Sequence, residues 1–274
     1  MTTRKLDTGS DQLLCSVTAH VATITLNNPK KKNALSESLS AGLRKMLAET
    51  EADPDVRALV ITGADGAFCA GGDIGGMGAS LAGGGAADTG AMIERLRRSQ
   101  NAISLKLYQF AKPTIAALPG PAAGAGMSIA LACDIRIAGQ SAYLAPAFGK
   151  IGLSGDFGGS WYMSKLIGPA RTKEIYYTSR PIDSTEANAL GLFNRVVDDS
   201  VLDRETETLA REIANGPPIA LSFMKANINR AADSDLQTAL DAEADAMIRA
   251  MLTEDHKAAA KAFFEKSPVT FSGK

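Results

Sequence analysis

The sequence predicts an α/β fold, and three features of the chain support this class. Residues 56–62 and Thr114–Leu118 are short, partly β-branched apolar runs, which are typical of buried strands. Each run is followed by a glycine-containing turn and a predicted helix start, so strand and helix alternate. From Leu202 onward apolar residues recur at helical spacing. We therefore expect a core over residues 13–202 and a C-terminal helical region over residues 203–274.

The N-terminal part is predicted to contain a hairpin, a polar loop and a helix. Residues 1–12 are expected to be flexible. Residues 13–18 and 21–26 alternate apolar and polar side chains, which predicts two paired strands. Three consecutive lysines follow at 30–32, either in a solvated basic loop or as a contact to a phosphorylated ligand. Ser36 is placed to cap a helix that has one apolar face.

The overall composition argues against several classes of partner. The chain has a formal net charge of −1, and 5% of its residues are aromatic. Nucleic-acid binding relies on basic patches and stacking aromatic rings, and anionic membranes attract basic surfaces, so neither partner is expected. A cytoplasmic location is expected, since the chain opens without an apolar signal segment and has no apolar run of about 18 residues.

Cysteine and histidine usage predicts neither a disulfide framework nor a metal site. Cys15, Cys69 and Cys133 are scattered, without CxxC or Cys/His spacing, and the two histidines lie far apart. This usage fits a reducing compartment. Cys133 is interpreted as a small buried residue, since no histidine near it in sequence can activate it as a nucleophile.

The stretch from Thr114 to Asp134 is the first that suggests chemistry. A predicted strand meets Pro119-Gly120-Pro121, and residues 122–132 then form a helix with almost no side chain larger than Met or Leu. Small side chains let other backbone approach closely. The first turn of a helix has free N–H groups and the positive end of the helix dipole, so this turn can hold a developing negative charge.

A second stretch, residues 67–74 (AFCAGGDI), repeats the pattern of strand, glycines and helix start. Two such elements can each supply one N–H group to the same oxygen atom. A pair of donors aimed at a thioester oxygen would stabilise an enolate. The sequence therefore predicts an oxyanion hole built from main-chain amides.

Residues 67–74 together with 118–138 (LPGPAAGAGMSIALACDIRIA) resemble the two-part signature of the crotonase, or enoyl-CoA hydratase/isomerase, family. The resemblance runs from about Leu13 to the C-terminal helices. It implies a spiral of repeating β-β-α units with a C-terminal helical trimerisation region. It also implies that the backbone N–H groups of Gly72 and Ala125 form the oxyanion hole. Glycine is usual at the second position, and alanine keeps the N–H if the backbone there tolerates a Cβ.

The same resemblance implies where an acyl-CoA thioester binds. The loop at Lys32 and Ala34 would lie against the CoA nucleotide. Phe263 and Lys266 would reach the CoA of a neighbouring subunit in a homotrimer or hexamer, although a packed C-terminal helix is the simpler alternative. Coenzyme A is then part of the substrate, and no metal or other cofactor is implied. The expected substrate and CoA contacts are Lys32, Ala34, Ala70, Gly71, Asp73, Ile74, Ser128, Phe148, Phe263 and Lys266.

The acid/base positions separate possible activities. Hydratases of this family use two glutamates, and the matching positions here are Ser128 and Phe148, which cannot titrate near neutral pH. Asp156 remains, at a point where some isomerases of the family carry an aspartate. A lone carboxylate among apolar neighbours would have a raised pKa and fits single-base isomerisation. Alternatively, Asp156 caps the helix that begins near Gly158 or Ser160.

Four further questions stay open at this level. An enoyl-CoA hydratase is the second candidate, with water activated by Ser128 or a chain of waters. A non-catalytic acyl-CoA binding protein is the third. Ring isomerisation and straight-chain isomerisation are not separated by these residues. The glycine-rich residues 75–90 form either a lid over the acyl pocket or an insertion without a role.

Overall fold

The computed structural model describes residues 2–73 and 88–274 and confirms the mixed α/β class. The strands of the described residues are β1 (Arg4–Leu6), β2 (Leu13–Thr18), β3 (Val21–Leu26), β4 (Ala58–Gly63), β5 (Thr114–Leu118), β6 (Ala122–Ala123), β7 (Ile135–Gly139), β8 (Tyr143–Ala145), β9 (Ile182–Asp183) and β10 (Arg195–Val197). Seven of them form a sheet in the order β1-β2-β3-β4-β5-β7-β10, and β6-β8-β9 form a second sheet. The large sheet is antiparallel from β1 to β3 and parallel from β3 to β10.

The helices connect the parallel strands and make up most of the C-terminal part. Those of the described residues are α1 (Glu37–Ala52), α2 (Thr89–Gln100), α3 (Ala125–Ala132), α4 (Gly159–Ile167), α5 (Pro169–Thr178), α6 (Ser184–Ala189), α7 (Leu202–Ala214), α8 (Pro218–Ala231), α9 (Leu236–Met251) and α10 (Glu254–Glu265). Helix α2 continues through a π-helical segment, Asn101–Leu105, into a last α turn, Lys106–Tyr108. Among the helices that are described, none is both long and apolar enough to cross a membrane.

The expectation of a flexible N-terminus over residues 1–12 is wrong for most of this segment. Strand β1 pairs with β2 in antiparallel register, with Arg4 opposite Val17 and Leu6 opposite Cys15. Thr8 is buried, and its hydroxyl donates to the carbonyl oxygen of Leu13 at 2.8 Å. A three-residue edge strand with two basic side chains carries no apolar alternation, so the sequence pattern does not reveal it.

The central strands are buried on both faces of the sheet, which is expected where helices cover a parallel sheet on both sides. On one face Leu59, Ile61 and Leu118 pack with α1 and α3. On the other face Val60 and Ile115 pack against α7. The predicted boundary between residues 202 and 203 therefore cuts the start of a helix that belongs to the sheet core. The physical reason is that Leu202, Ala210 and Ala214 of α7 bury their apolar side chains on this second face.

The predicted C-terminal helices are present as α8, α9 and α10. A contact between Lys225 Nζ and Asp134 Oδ2 at 2.9 Å joins α8 to the residue before β7, and the Lys225 side chain is only 9% exposed. Helices α9 and α10 leave large apolar side chains exposed, Phe263 and Phe264 among them. The assembly into a trimer or hexamer stays a prediction.

Candidate active site

The two predicted oxyanion segments meet directly in the structure. The amide of Ala123 donates to the carbonyl oxygen of Cys69 at 2.9 Å, and the amide of Cys69 donates to the carbonyl oxygen of Pro121 at 3.2 Å. A Cβ added at Gly126 would lie 2.3 Å from the Cys69 carbonyl oxygen. The first turn of α3 is therefore packed on the main chain at Cys69, as small residues in this helix allow.

Gly71 brings the two segments to their closest approach. Its φ is +95°, and an added Cβ would lie 2.8 Å from the carbonyl oxygen of Ala123 and 3.4 Å from the amide nitrogen of Ala125. The amide of Leu35 donates to the Gly71 carbonyl oxygen at 2.7 Å and holds the segment from its other side. Only glycine fits this position, because both the backbone conformation and the space exclude a side chain.

The two candidate donors lie at this junction. Gly72 follows Gly71, and Ala125 is the first residue of α3. Within the described part of the chain, neither N–H has an acceptor among the hydrogen bonds of the main chain. The positive φ values fall on Gly71 and Gly124, so Ala125 keeps an ordinary helical backbone that accepts a Cβ. Alanine in place of the usual glycine is therefore compatible with a donating amide.

Asp156 lies in the loop before α4 and has the environment of an acid/base group. Its Oδ1 atom is buried without a hydrogen-bond partner among the described residues. Burial raises the pKa of this carboxyl to about 6. The side chain does not cap α4, because Gly158, with φ +77°, occupies the N-cap and no side chain accepts a hydrogen bond there. The capping interpretation is therefore wrong in this structure.

The main chain around Asp156 is held by side chains from two helices. The hydroxyl of Ser128, in α3, lies 3.0 Å from the Asp156 carbonyl oxygen and 3.2 Å from that of Gly124. The Phe157 amide donates to Gln100 Oε1 at 3.0 Å, at the end of α2. Ser128 is completely buried and links the oxyanion segment to the carboxylate loop. Its contact to substrate stays a prediction, and its observed contacts are to the protein main chain.

Aromatic side chains form the wall beside this carboxylate. Phe148 is buried, and its ring stacks on that of Tyr176 with centroids 6.1 Å apart. The same ring lies 3.6 Å from the position of a Cβ at Gly124. Phe148 thus provides an apolar surface next to Gly155, the residue before Asp156. Burial of the carboxyl disfavours its charged form and explains the raised pKa.

The remaining predicted ligand contacts lie at the first oxyanion segment and on α10. Ala70 donates its amide to the Lys32 carbonyl oxygen at 2.9 Å, which fixes the lysine loop beside that segment. Lys32 is exposed and Ala34 is buried. Asp73 pairs with Lys31, with Nζ and Oδ2 2.6 Å apart.

Ile74 lies outside the described residues, as does most of the segment interpreted as a lid, residues 75–87. Phe263 and Lys266 are exposed at the C-terminal end of α10.

The cysteines have no catalytic environment. All three are free and buried. Burial raises the pKa of the Cys69 and Cys133 thiols to about 12, so both stay neutral. Within residues 2–73 and 88–274, no group of three or more His, Cys, Asp or Glu side chains is arranged to hold a metal ion.

Three residues at the site were not identified from the sequence. They are Gln100 and Ser104, which bind the main chain at Phe157, and Tyr176, which lies against the Asp156 loop. Each is far from Asp156 in sequence and sits on a helix with no local motif. A family alignment that shows their pattern of substitution is the kind of signal that finds such residues, since spacing in one chain does not.

Comparison with known proteins identifies the family. Residues 16–274 match the enoyl-CoA hydratase/isomerase family. The chain is 36% identical over 262 residues to 1,2-epoxyphenylacetyl-CoA isomerase of Escherichia coli (strain K12), covering 96% of this chain and 98% of the relative. It is 34% identical over 252 residues to short-chain-enoyl-CoA hydratase of Clostridium acetobutylicum, covering 91% and 93%. The crystal structure of a protein assigned as an enoyl-CoA hydratase/isomerase in Mycobacterium abscessus superposes with a TM-score of 0.90 at 33% identity, covering 96% of this chain and 100% of that one. The chain belongs to the enoyl-CoA hydratase/isomerase family, or crotonase superfamily.

Proposed function

We propose that the protein is an enoyl-CoA isomerase that uses Asp156 as its single acid/base group. The observation that carries this proposal is one carboxyl with a buried oxygen, on a loop that Ser128 joins to the oxyanion segment, with Ser128 and Phe148 at the two positions where hydratases carry glutamates. Two relatives differ in name, one being an isomerase and one a hydratase, so the choice rests on these side chains.

The proposed reaction moves one proton and leaves the composition of the substrate unchanged. The Asp156 carboxylate takes a proton from the α carbon of a β,γ-enoyl thioester, and the C–H electron pair enters a dienolate. The amides of Gly72 and Ala125 donate to the thioester oxygen, where the negative charge collects. The protonated carboxyl then returns the proton to the γ carbon, which gives the α,β-enoyl thioester.

The pKa of Asp156 suits both halves of this cycle. A carboxyl with a pKa of about 6 is mostly ionised at neutral pH and can act as a base. Once protonated, the carboxyl is a stronger proton donor than water, and its pKa is close to the pH at which the enzyme works. A two-carboxylate hydration needs a second group that orients and deprotonates water, and neither Ser128 nor Phe148 supplies one.

The proposal includes the substrate contacts that family membership implies. The loop at Lys32 and Ala34 would hold the CoA nucleotide, and Phe263 with Lys266 of a neighbouring subunit would complete the site. The working enzyme would then be a homotrimer or a dimer of trimers. Coenzyme A would enter as part of the substrate, with no metal or redox cofactor.

Isotope exchange tests the proposal. Purified protein is incubated with β,γ-enoyl-CoA thioesters of short, medium and aryl acyl groups in D2O, and deuterium at the α and γ carbons is measured by mass spectrometry. Asp156→Asn is expected to slow exchange by about 10²–10⁴-fold while CoA affinity persists. Asp65→Asn is the matched control, since Asp65 is exposed and its left-handed backbone (φ 55°) tolerates asparagine.

Each other outcome removes a defined part of the proposal. Exchange that survives Asp156→Asn contradicts the single-base mechanism. Hydration of an α,β-enoyl-CoA without isomerisation supports the hydratase. Tight CoA binding without any exchange in the wild type supports a non-catalytic binding protein.

A further inference from the structure

Two of the buried polar atoms that lack a partner belong to the Asp156 loop and to the helix that packs against this loop. Among the described residues, the buried side-chain atoms without a hydrogen bond are Asp156 Oδ1, Tyr176 Oη and Thr206 Oγ1. Thr206 belongs to α7, on the far face of the large sheet. Buried polar groups in folded proteins are nearly always paired, and unpaired ones call for an explanation. A single explanation should account for the unpaired carboxyl oxygen of Asp156 and the unpaired phenol of Tyr176.

Tyr176 lies directly against the loop that carries Asp156. The position of a Cβ at Gly155 is 3.4 Å from Tyr176 Cε1, and that of a Cβ at Gly159 is 2.7 Å from Tyr176 Oη. The Gly159 amide donates to the Asp156 carbonyl oxygen at 3.3 Å, so Tyr176 packs on the loop on both sides of this residue along the chain. Burial raises the pKa of Tyr176, and the negative charge of Asp156 raises it further. The phenol is thus a neutral donor beside an acceptor.

We propose that Tyr176 is a positioning residue for Asp156, whose hydroxyl donates a hydrogen bond to Oδ1 when substrate is bound, leaving Oδ2 to exchange the proton. This inference rests on the proposed acid/base role of Asp156. Catalytic hydrogen bonds are often long in the free enzyme and shorten in the substrate complex, which accounts for the absence of this bond in the described geometry.

The bond has a defined electrostatic consequence. A donor to the carboxylate favours its charged form and lowers its pKa, against the effect of burial. The other ionisable groups of the packed elements are exposed or already paired. On α2, Glu94, Arg95, Arg97 and Arg98 are exposed, and on α4 the Tyr162 hydroxyl bonds to Ser104. Lys165 on α4 pairs with Asp233, and the remaining charged side chains of the turn at 148–151 and of α5 are exposed: Lys150, Arg171, Lys173 and Glu174. Helix α3 contributes no ionisable side chain.

Tyr176→Phe removes the hydroxyl and keeps the ring that stacks on Phe148. We expect the acidic limb of the kcat–pH profile to move to higher pH by about one unit and kcat at pH values below both limbs to fall about tenfold, with KM within twofold. Tyr177→Phe is the matched control, because the neighbouring tyrosine is 80% exposed. An unmoved limb in Tyr176→Phe, or equal effects in both variants, would overturn the proposal.

A second measurement does not depend on turnover. The carboxyl resonance of Asp156, assigned by its loss in Asp156→Asn, is titrated in ¹³C-aspartate-labelled protein with bound CoA thioester. The pKa should be higher in Tyr176→Phe and lower when position 176 carries 3-fluorotyrosine, a stronger donor. Equal values in all three proteins contradict the inference even if the enzyme isomerises its substrate. Shifted values support it even if the protein is found to be a hydratase.

Discussion

Asp156 combines two properties that are in tension, a carboxyl oxygen that is buried and a negative charge that the proposed role requires. The main chain of its loop is fixed by the hydroxyl of Ser128 and the side-chain amide of Gln100, which sets where the carboxyl is attached. The raised pKa is therefore a consequence of the fold and not of the substrate. This has measurable effects on both activity and stability.

The first effect is a pH dependence of turnover. The proposed base acts in its ionised form, and burial raises its pKa to about 6. Activity should therefore be constant above neutral pH and fall as the pH drops through about 6, tenfold for each further unit. The measurement is kcat between pH 4.5 and 8.5, with folding verified by circular dichroism at each pH. A flat profile down to pH 4.5 contradicts a base in this environment.

The second effect is on the free energy of unfolding. The pKa of Asp156 is higher in the folded chain than in the unfolded chain, so the folded state binds the proton more tightly. Ionisation then destabilises the fold as the pH rises from about 4 to 6, and the whole penalty is present above that range. Asp156→Asn should stabilise the protein by about 1–3 kcal/mol at pH 7.5, since one pKa unit corresponds to about 1.4 kcal/mol.

Urea unfolding of both proteins at equal concentration measures this difference. The gain should fall to less than half at pH 4.5, because most of the penalty has then disappeared. A gain that is the same at both pH values would show that the charge of Asp156 is not its cause. A loss of stability at pH 7.5 would mean that the carboxylate has a stabilising partner in the folded protein.

At the scale of elements, the start of α3 is the part that the chemistry depends on most. The first residue of α3, Ala125, has an amide without an acceptor among the described main-chain hydrogen bonds. Gly71 lets the other oxyanion segment approach this amide closely. Ala125→Pro removes this N–H at the first helical position, where proline is best tolerated. We expect kcat to fall about 10²–10³-fold with little change in the Kd for CoA.

Ala125→Gly is the control for this substitution, because it changes the side chain and keeps the N–H. Its kcat should stay within about threefold of the wild type. A folded Ala125→Pro protein with full kcat would show that the second donor lies elsewhere. A proline variant that binds CoA poorly would indicate a steric block and not a lost donor.

The sequence predicts an element well where residues adjacent in the chain carry its pattern, and poorly where contacts between distant residues decide it. Strand β5 was predicted with its observed ends, because a β-branched threonine and four apolar residues, all buried, precede a proline. The helix expected from residue 122 begins at Ala125, since Ala122 and Ala123 pair with β8 first. The candidate oxyanion donors, Gly72 and Ala125, were predicted from a motif. Tyr176 and Gln100 were missed because their contacts with the Asp156 loop join helices distant in sequence.

The exposed C-terminal surface is a property of the whole molecule. Helices α9 and α10 present large apolar side chains to solvent: Leu236, Met247, Ile248, Leu252, Phe263 and Phe264. Exposed apolar residues in such number mark surfaces that are covered by a partner. The buried contact of Lys225 with Asp134 fixes α8, from which these helices extend. Self-association through this region would bring α10 of one subunit to another, as the predicted trimer requires.

Substitutions at the end of α10 test whether the site is completed by a neighbouring subunit. Phe263→Ala and Lys266→Met should each raise KM for an acyl-CoA about tenfold and leave kcat within twofold, since they would remove contacts to CoA and not to the reacting carbons. Lys257→Met is the control, since Lys257 is exposed on the same helix and lies outside this apolar surface. Light scattering on the same samples should give three or six times the mass of the chain. A monomer with full activity would mean that α10 does not complete the site of a neighbouring subunit. An unchanged KM in a trimer would place the CoA contacts elsewhere.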